Sequence, residues 1–172
     1  MIGTTIGHEI THAFDDSGSL YNEKGNWKFW WRDDTFEKFN QLTKCMVHQY
    51  GNFSLWNGLK IKGNYTLGEN IADNGAVKVA YNAYLKYVSQ FGEELQLPAL
   101  NYTSKQLFWI ATAKSDCSKS TPQMIKTRID TNRHSPEKAR VNVVMSNVKE
   151  FAADFKCPLG STMNPIKRCT VW

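Results

Sequence analysis

The sequence has no run approaching the roughly eighteen apolar residues that a membrane-spanning helix requires. It also lacks a secretory signal peptide, because residues 1–7 are short and uncharged and lead directly into a His-Glu pair. Neither a membrane span nor a signal peptide is therefore predicted within the chain. Because this His-Glu pair stands so close to the first residue, we expect the sequence to be a fragment of a longer chain.

Basic blocks and closely paired cysteines are also missing. The 21 Lys and Arg residues give a net charge of +5, but no basic run exceeds a dipeptide, which is typical of a solvated surface. A nucleic-acid binder therefore ranks last among the functions considered, and no nucleic acid is expected as a partner. The four cysteines form no Cys-x-x-Cys pair, which disfavours a zinc ribbon or a thioredoxin-like site.

The composition that is present suits one packed, secreted domain. With 172 residues, 41% of them hydrophobic and 13% of the chain aromatic, the protein can bury a single core. Three Asn-x-Ser/Thr sequons, at Asn52, Asn64 and Asn101, accompany an even number of cysteines. This combination predicts an extracellular or cell-surface location, with the three asparagines as glycosylation candidates.

Apolar residues recur at helical spacing, and few stretches alternate with a period of two, so we expect a mainly α fold with few strands. The tail from residue 157 is expected to be irregular. The predicted helices cover about 2–14, a segment capped by Asp33 or Asp34 and ended by Gly51, a long segment over about 67–91, and shorter segments capped by Ser104, Thr121, Ser135 and Asn147.

His8, Glu9 and His12 form a His-Glu-x-x-His motif in the first predicted helix. Residues four apart share a helix face, so the two imidazoles point to one place at a spacing suited to zinc. Glu9 can reach a water molecule at such an ion and accept its proton, which makes it the candidate general base. Two surface histidines that fall four apart by chance are the less favoured alternative, because apolar residues flank the motif.

A catalytic zinc site needs a third protein ligand. A third histidine at the sixth position after His12 is excluded, since Gly18 stands there. Glu69 and Asp73, four apart at the start of the long helix, are better candidates: Glu69 would ligate zinc while Asp73 accepts the other ring proton of a ligating histidine. The residues alone leave a second interpretation open, in which the two acids only stabilise the positive end of the helix dipole.

Several segments carry a family resemblance, in order along essentially the whole chain. They are His-Glu-Ile-Thr-His-Ala-Phe-Asp-Asp at 8–16, Gly-Glu-Asn-Ile-Ala-Asp-Asn-Gly at 68–75, Arg-His-Ser-Pro at 133–136, Arg-Val-Asn at 140–142 and Cys-Thr-Val-Trp at 169–172. Together they resemble the signatures of the neprilysin and endothelin-converting-enzyme family of zinc peptidases.

The resemblance implies a complete zinc site. His8, His12 and Glu69 would hold one Zn²⁺ ion, Glu9 would be the general base, and Asp73 would support a ligating histidine. The implied fold is mainly α, a thermolysin-like (gluzincin) helical catalytic subdomain built on the His-Glu-x-x-His helix and the long Gly-Glu-Asn-x-Ala-Asp helix.

Two further residues receive roles from the resemblance. His134 would donate to the oxyanion of the tetrahedral intermediate, and Arg140 would bind a substrate carbonyl or carboxylate. The chain departs from the family pattern at Asn132, where Asp would support a charged His134, and at Ala76, where a second glycine is usual. Residues 111–116 are also more polar than the apolar and aromatic run common in the family.

The resemblance also implies what accompanies these residues. Family members are type II membrane proteins or secreted enzymes of several hundred residues, so residues 1–172 would be the C-terminal part of a catalytic domain. The N-terminal lobe, a substrate-binding strand and any membrane anchor would lie outside the chain. Cys45 would pair with Cys169, while Cys117 and Cys157 would pair with cysteines of that lobe.

The leading hypothesis is a zinc-dependent metalloendopeptidase that hydrolyses short peptides, which are its expected partners. The resemblance implies cleavage on the amino side of hydrophobic residues. The alternative is a catalytically impaired fragment or paralogue that binds zinc or peptides without hydrolysing them. The missing substrate strand and Asn132 motivate this alternative.

Overall fold

The computed structural model describes residues 2–172, and α-helices make up most of it. The only extended pairing described for these residues consists of two isolated bridges, Tyr21–Trp27 and Ser54–Lys60. The expected mainly α fold with few strands is confirmed. The helices are α1 Ile2–Thr11, α2 Asp33–Asn52, α3 Leu67–Phe91, α4 Ser104–Ser115, α5 Pro122–Thr131, α6 Glu137–Asn147 and α7 Lys149–Asp154.

Three helix ends differ from the sequence-based prediction. The first helix is α-helical only to Thr11, and His12–Phe14 tighten into a short 3-10 turn. The second begins one or two residues earlier than expected, with Arg32 at the cap position and Asp33 and Asp34 in the first turn, and it continues past Gly51 to Asn52. In the first turn the two acids stabilise the helix by their interaction with the positive end of its dipole, and neither caps it.

Three predicted caps are wrong. Ser135 does not cap α6, because Pro136 holds the cap position and Ser135 Oγ donates to Asn70 Oδ1 instead. Ser104 is the first residue of α4, and Thr103 caps it: Thr103 Oγ1 accepts from Gln106 N at 3.2 Å, while Thr103 N donates to Gln106 Oε1 at 3.0 Å. Asn147 ends α6 rather than capping α7, because its side chain is used in the core. Its Nδ2 donates to Asn74 Oδ1 at 3.0 Å.

Helices α1 and α3 cross at backbone contact because small residues line the crossing. A Cβ on Gly7 would lie 3.0 Å from the carbonyl oxygen of Ala76, and one on Gly75 would lie 2.6 Å from Cγ2 of Thr11. Glycine lets two backbones approach this closely. The crossing therefore sets the distance between the helices that carry the two predicted motifs, and it accommodates Ala76 in place of the usual glycine.

The N-terminal half of α3 is buried on all sides, so its polar residues need internal partners. Asn74 Nδ2 donates to Tyr50 OH at 3.0 Å and to Asn70 O at 2.7 Å. Asn147, which donates to Asn74, also exchanges hydrogen bonds with Gln49 at 2.8 Å. These bonds tie α3 to α2 and α6, and a fully satisfied network of this kind holds a core in one arrangement.

Helix α6 lies between two apolar clusters, with Val143 in the first and Val144 in the second. The first joins α2, α5 and α6: Met46, Tyr50, Leu55, Ile61, Ile129, Ala139, Val143 and Cys169. The second joins α3, α4, α6 and the residue between α6 and α7: Val77, Tyr81, Trp109, Val144, Met145 and Val148.

A disulfide connects the second helix with the tail. The structure joins Cys45 to Cys169 across a sequence separation of 124 residues. Closing a loop of that length stabilises the fold by about 4 to 5 kcal/mol on a chain-entropy estimate. Cys117 is exposed and Cys157 is partly buried, and neither is bonded. Their predicted bonds to an N-terminal lobe involve residues outside this chain and stay predictions.

The sites of predicted glycosylation all lie at the surface. Asn52, Asn64 and Asn101 have exposed side chains. Across residues 2–172, no helix combines the length and apolar character needed to cross a membrane. The extracellular or cell-surface location stays a prediction.

Candidate metal centre

Three imidazoles and one carboxylate oxygen meet between α1, α3 and the loop before α6. Glu69 Oε2 lies 3.2 Å from His8 Nε2, 3.5 Å from His12 Nε2 and 3.0 Å from His134 Nε2. The Nε2 atoms of His8 and His12 are 3.0 Å apart. The helix periodicity brings His8 and His12 together, whereas only the tertiary fold brings Glu69 and His134 to them.

The separations among these atoms are compatible with ligands of one metal ion. Glu69 Oε2 is buried, and among the described residues no donor meets it at hydrogen-bond geometry. Ligand atoms at the corners of a tetrahedron around zinc, about 2.0 to 2.1 Å from the ion, lie about 3.3 to 3.4 Å apart. The separations among His8 Nε2, His12 Nε2 and Glu69 Oε2 are 3.0, 3.2 and 3.5 Å. Two imidazoles and a carboxylate are also a donor set that catalytic zinc uses, so these residues fit the ion.

Buried carboxylates support two of the three imidazoles. Asp73 Oδ1 lies 2.9 Å from His8 Nδ1, and Asp15 Oδ2 lies 2.6 Å from His12 Nδ1. Both acids are less than a tenth exposed. A carboxylate behind a ligating histidine holds the tautomer that presents its other nitrogen to the metal. His8 and His12 therefore both have the support that metal-binding histidines usually have.

His134 is a competing ligand with different support. The ligand atoms of His8, Glu69 and His134 lie within 4.8 Å of one another, and the rings of His8 and His134 are nearly parallel, 6.4 Å apart. However, His134 Nδ1 faces the amide oxygen of Asn132 at 3.1 Å, and the same oxygen accepts the backbone N–H of His134 at 2.9 Å. A neutral amide behind this ring favours His12 over His134 as the third ligand.

A buried hydrogen bond explains how His134 reaches Glu69 from another part of the chain. Ser135 Oγ donates to Asn70 Oδ1 at 2.7 Å, and both residues are fully buried. Asn70 follows Glu69 in the chain, and Ser135 follows His134. The bond therefore holds His134 beside Glu69, and no local sequence pattern predicts it.

Asp15 is the residue that sequence reasoning missed. Its Oδ1 accepts the backbone N–H groups of Ser17 at 2.8 Å and Gly18 at 2.6 Å, so the carboxylate is held while Oδ2 faces His12. The spacing of three residues from His12 was the signal available, since residues three apart on a helix are neighbours.

Replacing Asp15 with Asn should weaken zinc binding by about 10- to 100-fold, which is the usual cost of losing a carboxylate behind a ligand. The amide retains an acceptor for the two backbone N–H groups, so the fold should persist. Competition with a chromophoric chelator measures the affinity. The exposed neighbour Asp16, changed to Asn, is the matched control and should bind zinc nearly normally. Equal losses in both variants would contradict the role of Asp15.

The charges of the site are strongly coupled. Hydrogen bonding to Asp73, followed by the nearby carboxylate of Glu69, raises the pKa of His8 to about 9. The contact with His8 in turn lowers the pKa of Glu69. Burial alone would raise the pKa of Asp73, but the side chains of Arg140 and His8 bring it below its ordinary value. Both acids are therefore ionised, and a metal that binds His8 displaces a proton from it.

Arg140 connects the metal centre to a neighbouring cavity. Its Nε and Nη2 donate to the two oxygens of Asp73 at 2.8 and 2.6 Å, a two-pronged contact that orients the carboxylate toward His8. The cavity, of about 280 Å³, is lined by Arg140, His8, His134 and the exposed side of α1 at Glu9. The candidate base and the candidate substrate-binding residues therefore border one space.

Comparison with known proteins agrees with this geometry. A family described as Peptidase family M13 matches residues 1–171. Endothelin-converting enzyme 1 of Rattus norvegicus is 50% identical over 171 residues, which cover 99% of this chain and 22% of that protein. Neprilysin-2 of Drosophila melanogaster is 48% identical over 172 residues, with 99% of this chain and 22% of that protein covered.

A solved structure gives the same result at the level of the fold. The zinc metalloprotease Zmp1 of Mycobacterium tuberculosis, in complex with an inhibitor, superposes with a TM-score of 0.88 at 30% identity. The match covers 99% of this chain and 26% of that one. The chain thus spans less than a quarter of the length of the two curated relatives above.

Proposed function

Since this chain belongs to peptidase family M13, we propose that it carries the zinc-binding part of a metalloendopeptidase that hydrolyses short peptides. The sequence-based resemblance to the neprilysin and endothelin-converting-enzyme family is confirmed. The observation that carries the proposal is the meeting of His8, His12 and Glu69 at the spacing of zinc ligands. These three residues would hold one Zn²⁺ ion.

Glu9 is the general base of the proposed reaction. A bound zinc ion supplies Lewis-acid chemistry, polarising a peptide carbonyl and making water more acidic. Glu9 follows His8 in the chain and borders the cavity, so its carboxylate can take the proton of the attacking water. It then passes that proton to the leaving amine.

Three other residues bind and orient. His134 Nε2 is the donor for the oxyanion that develops on the substrate carbonyl. Arg140 binds a substrate carbonyl or carboxylate, with Nη1 as the donor that remains after Nε and Nη2 meet Asp73. Asp73 holds the tautomer of His8 through their 2.9 Å contact.

The rest of the assignment follows from the same relatives. Residues 1–172 are proposed as the C-terminal part of a longer catalytic domain, in which Cys117 and Cys157 bond to the N-terminal lobe. The three exposed sequons and the Cys45–Cys169 disulfide support an extracellular or cell-surface location. The resemblance implies cleavage on the amino side of hydrophobic residues.

A catalytically impaired zinc- or peptide-binding protein is the second candidate. It is favoured by Asn132, which places a neutral amide, rather than a carboxylate, 3.1 Å from His134 Nδ1. With Nδ1–H donating to this amide oxygen, Nε2 carries a proton only when the imidazole is charged, and a neutral amide stabilises that charge less than a carboxylate does.

The complete gene product, loaded with zinc, should cleave a quenched fluorogenic peptide, and 1,10-phenanthroline should abolish that cleavage. Adding zinc in excess over the chelator should restore it, because the ligand residues remain in place. Mass spectrometry of the products identifies the bond cleaved. A protein that binds one zinc ion per chain but cleaves no peptide would instead support the second candidate.

A further inference from the structure

The cavity beside Glu9 is lined by apolar side chains and by polar and acidic ones. Its apolar lining is formed by buried side chains of α3 and α6: Val77, Val144 and Met145. Its polar lining comes from α1 and the C-terminal end of α4: Thr4, Thr5, Thr112, Ser115 and Asp116. This lining is more polar than that of a pocket for hydrophobic side chains, which is predominantly apolar.

Asp116 lies where negative charge is unfavourable. It is the residue that ends α4, so its carboxylate is at the negative end of the helix dipole. Burial raises its pKa, Arg140 offsets part of this, and the carboxylates of Asp73 and Glu137 raise it further. A positive charge beside Asp116 would offset the unfavourable effects of burial, of the helix dipole and of the neighbouring acids on this carboxylate.

Arg140 does not supply that charge fully. Its Nε and Nη2 donate to Asp73 at 2.8 and 2.6 Å, but its Nη1 is 3.9 Å from Asp116 Oδ1, beyond hydrogen-bond distance. Two carboxylates therefore share one guanidinium, which is committed to Asp73. Glu9, an exposed residue that also lines the cavity, adds a further acid.

We propose that this cavity receives a lysine or arginine side chain of the substrate, from a residue next to the scissile bond. The methylene stem would pack on Val77, Val144 and Met145, and the cationic head would meet Asp116. Long basic side chains combine these two properties. The proposal rests on the proposed peptidase function and replaces the hydrophobic preference that the family resemblance implies.

Other side chains fit the cavity less well. A purely apolar side chain would cover Asp116, whose side chain is now 29% exposed, and would leave its carboxylate with only the guanidinium of Arg140, 3.9 Å away and already bound to Asp73. An acidic side chain would be repelled by Asp116 and Glu9. The charge distribution therefore selects for a cation with an apolar stem.

The test uses peptides that differ only in one side chain, lysine or norleucine, which has a similar stem without the charge. Two series place this residue before or after the scissile bond. In one series, kcat/KM should be roughly tenfold higher for the lysine peptide than for the norleucine peptide, a typical discrimination for one pocket contact. In Asp116→Asn the ratio should fall toward one. Asp34→Asn, an exposed acid at the start of α2, is the control and should keep the parent's ratio.

Each outcome decides between the proposals. A norleucine peptide cleaved as fast as the lysine peptide in both series, with a ratio that Asp116→Asn does not change, would overturn the basic pocket while the peptidase function stands. If no peptide is cleaved, the peptidase function fails. The affinities of the same peptides for the zinc-loaded Glu9→Gln protein then test whether the cavity prefers a basic side chain. Tighter binding of the lysine peptide, lost when Asp116→Asn is added, supports this preference; equal affinities overturn it.

Discussion

Glu9→Gln should keep zinc bound and lower kcat for peptide hydrolysis by about 10³-fold, within the range that general-base catalysis contributes. The amide has nearly the shape of the carboxylate but cannot accept the proton of the attacking water. KM should change little, because the substitution removes a contribution made during reaction rather than in binding. Zinc content per chain and steady-state kinetics, measured on the same preparation, separate the two effects.

The control for this experiment is Glu37→Gln, which changes an exposed glutamate of α2. It should retain both zinc and the parent's kcat. Full activity in Glu9→Gln would show that the proton is taken by another group, and the role given to Glu9 would be wrong. Loss of zinc in Glu9→Gln would mean that Glu9 supports the metal instead.

His12→Ala should lose zinc, whereas His134→Ala should retain it. His12→Ala removes a proposed ligand that Asp15 contacts, and zinc affinity should fall by more than about 100-fold, beyond the cost of losing a supporting group alone. His134→Ala should retain the ion, while kcat falls by roughly 10²- to 10³-fold through loss of an oxyanion donor. Elemental analysis after dialysis against a weak chelator gives the zinc content of each variant.

His48→Ala is the matched control, since His48 is an exposed histidine on α2. It should keep both zinc and activity. If zinc were lost from His134→Ala and kept by His12→Ala, the ligands would be His8, Glu69 and His134, the other group of atoms within ligand distance. The experiment therefore distinguishes the two possible ligand sets.

The mainly α fold was predictable because helix formation depends on residues only a few positions apart. The long third helix illustrates this, since its predicted bounds, about 67–91, match Leu67–Phe91. Errors arose where a side chain had a tertiary use. Asn147 suits a helix cap by residue type, but in the fold it donates to Asn74 in the core.

The candidate site was predictable in part for the same reason. The spacing of His8 and His12 places them on one helix face, and the spacing of Glu69 and Asp73 does so on another. Asp15 was missed because its contact with His12 depends on the 3-10 turn after α1, where its carboxylate is held by Ser17 and Gly18.

By itself, the sequence determined the helices, the paired spacing on each and the family to which the chain belongs. The tertiary structure alone decided how the pairs meet: the crossing at Gly7 and Gly75 sets the distance between α1 and α3, and the Asn70–Ser135 bond holds His134 beside Glu69. It also decided that Asp116 lines one cavity together with Val77, Val144 and Met145. The physical reason is range, because periodicity acts over a few residues, whereas distances between segments depend on how side-chain volumes and buried polar groups pack together.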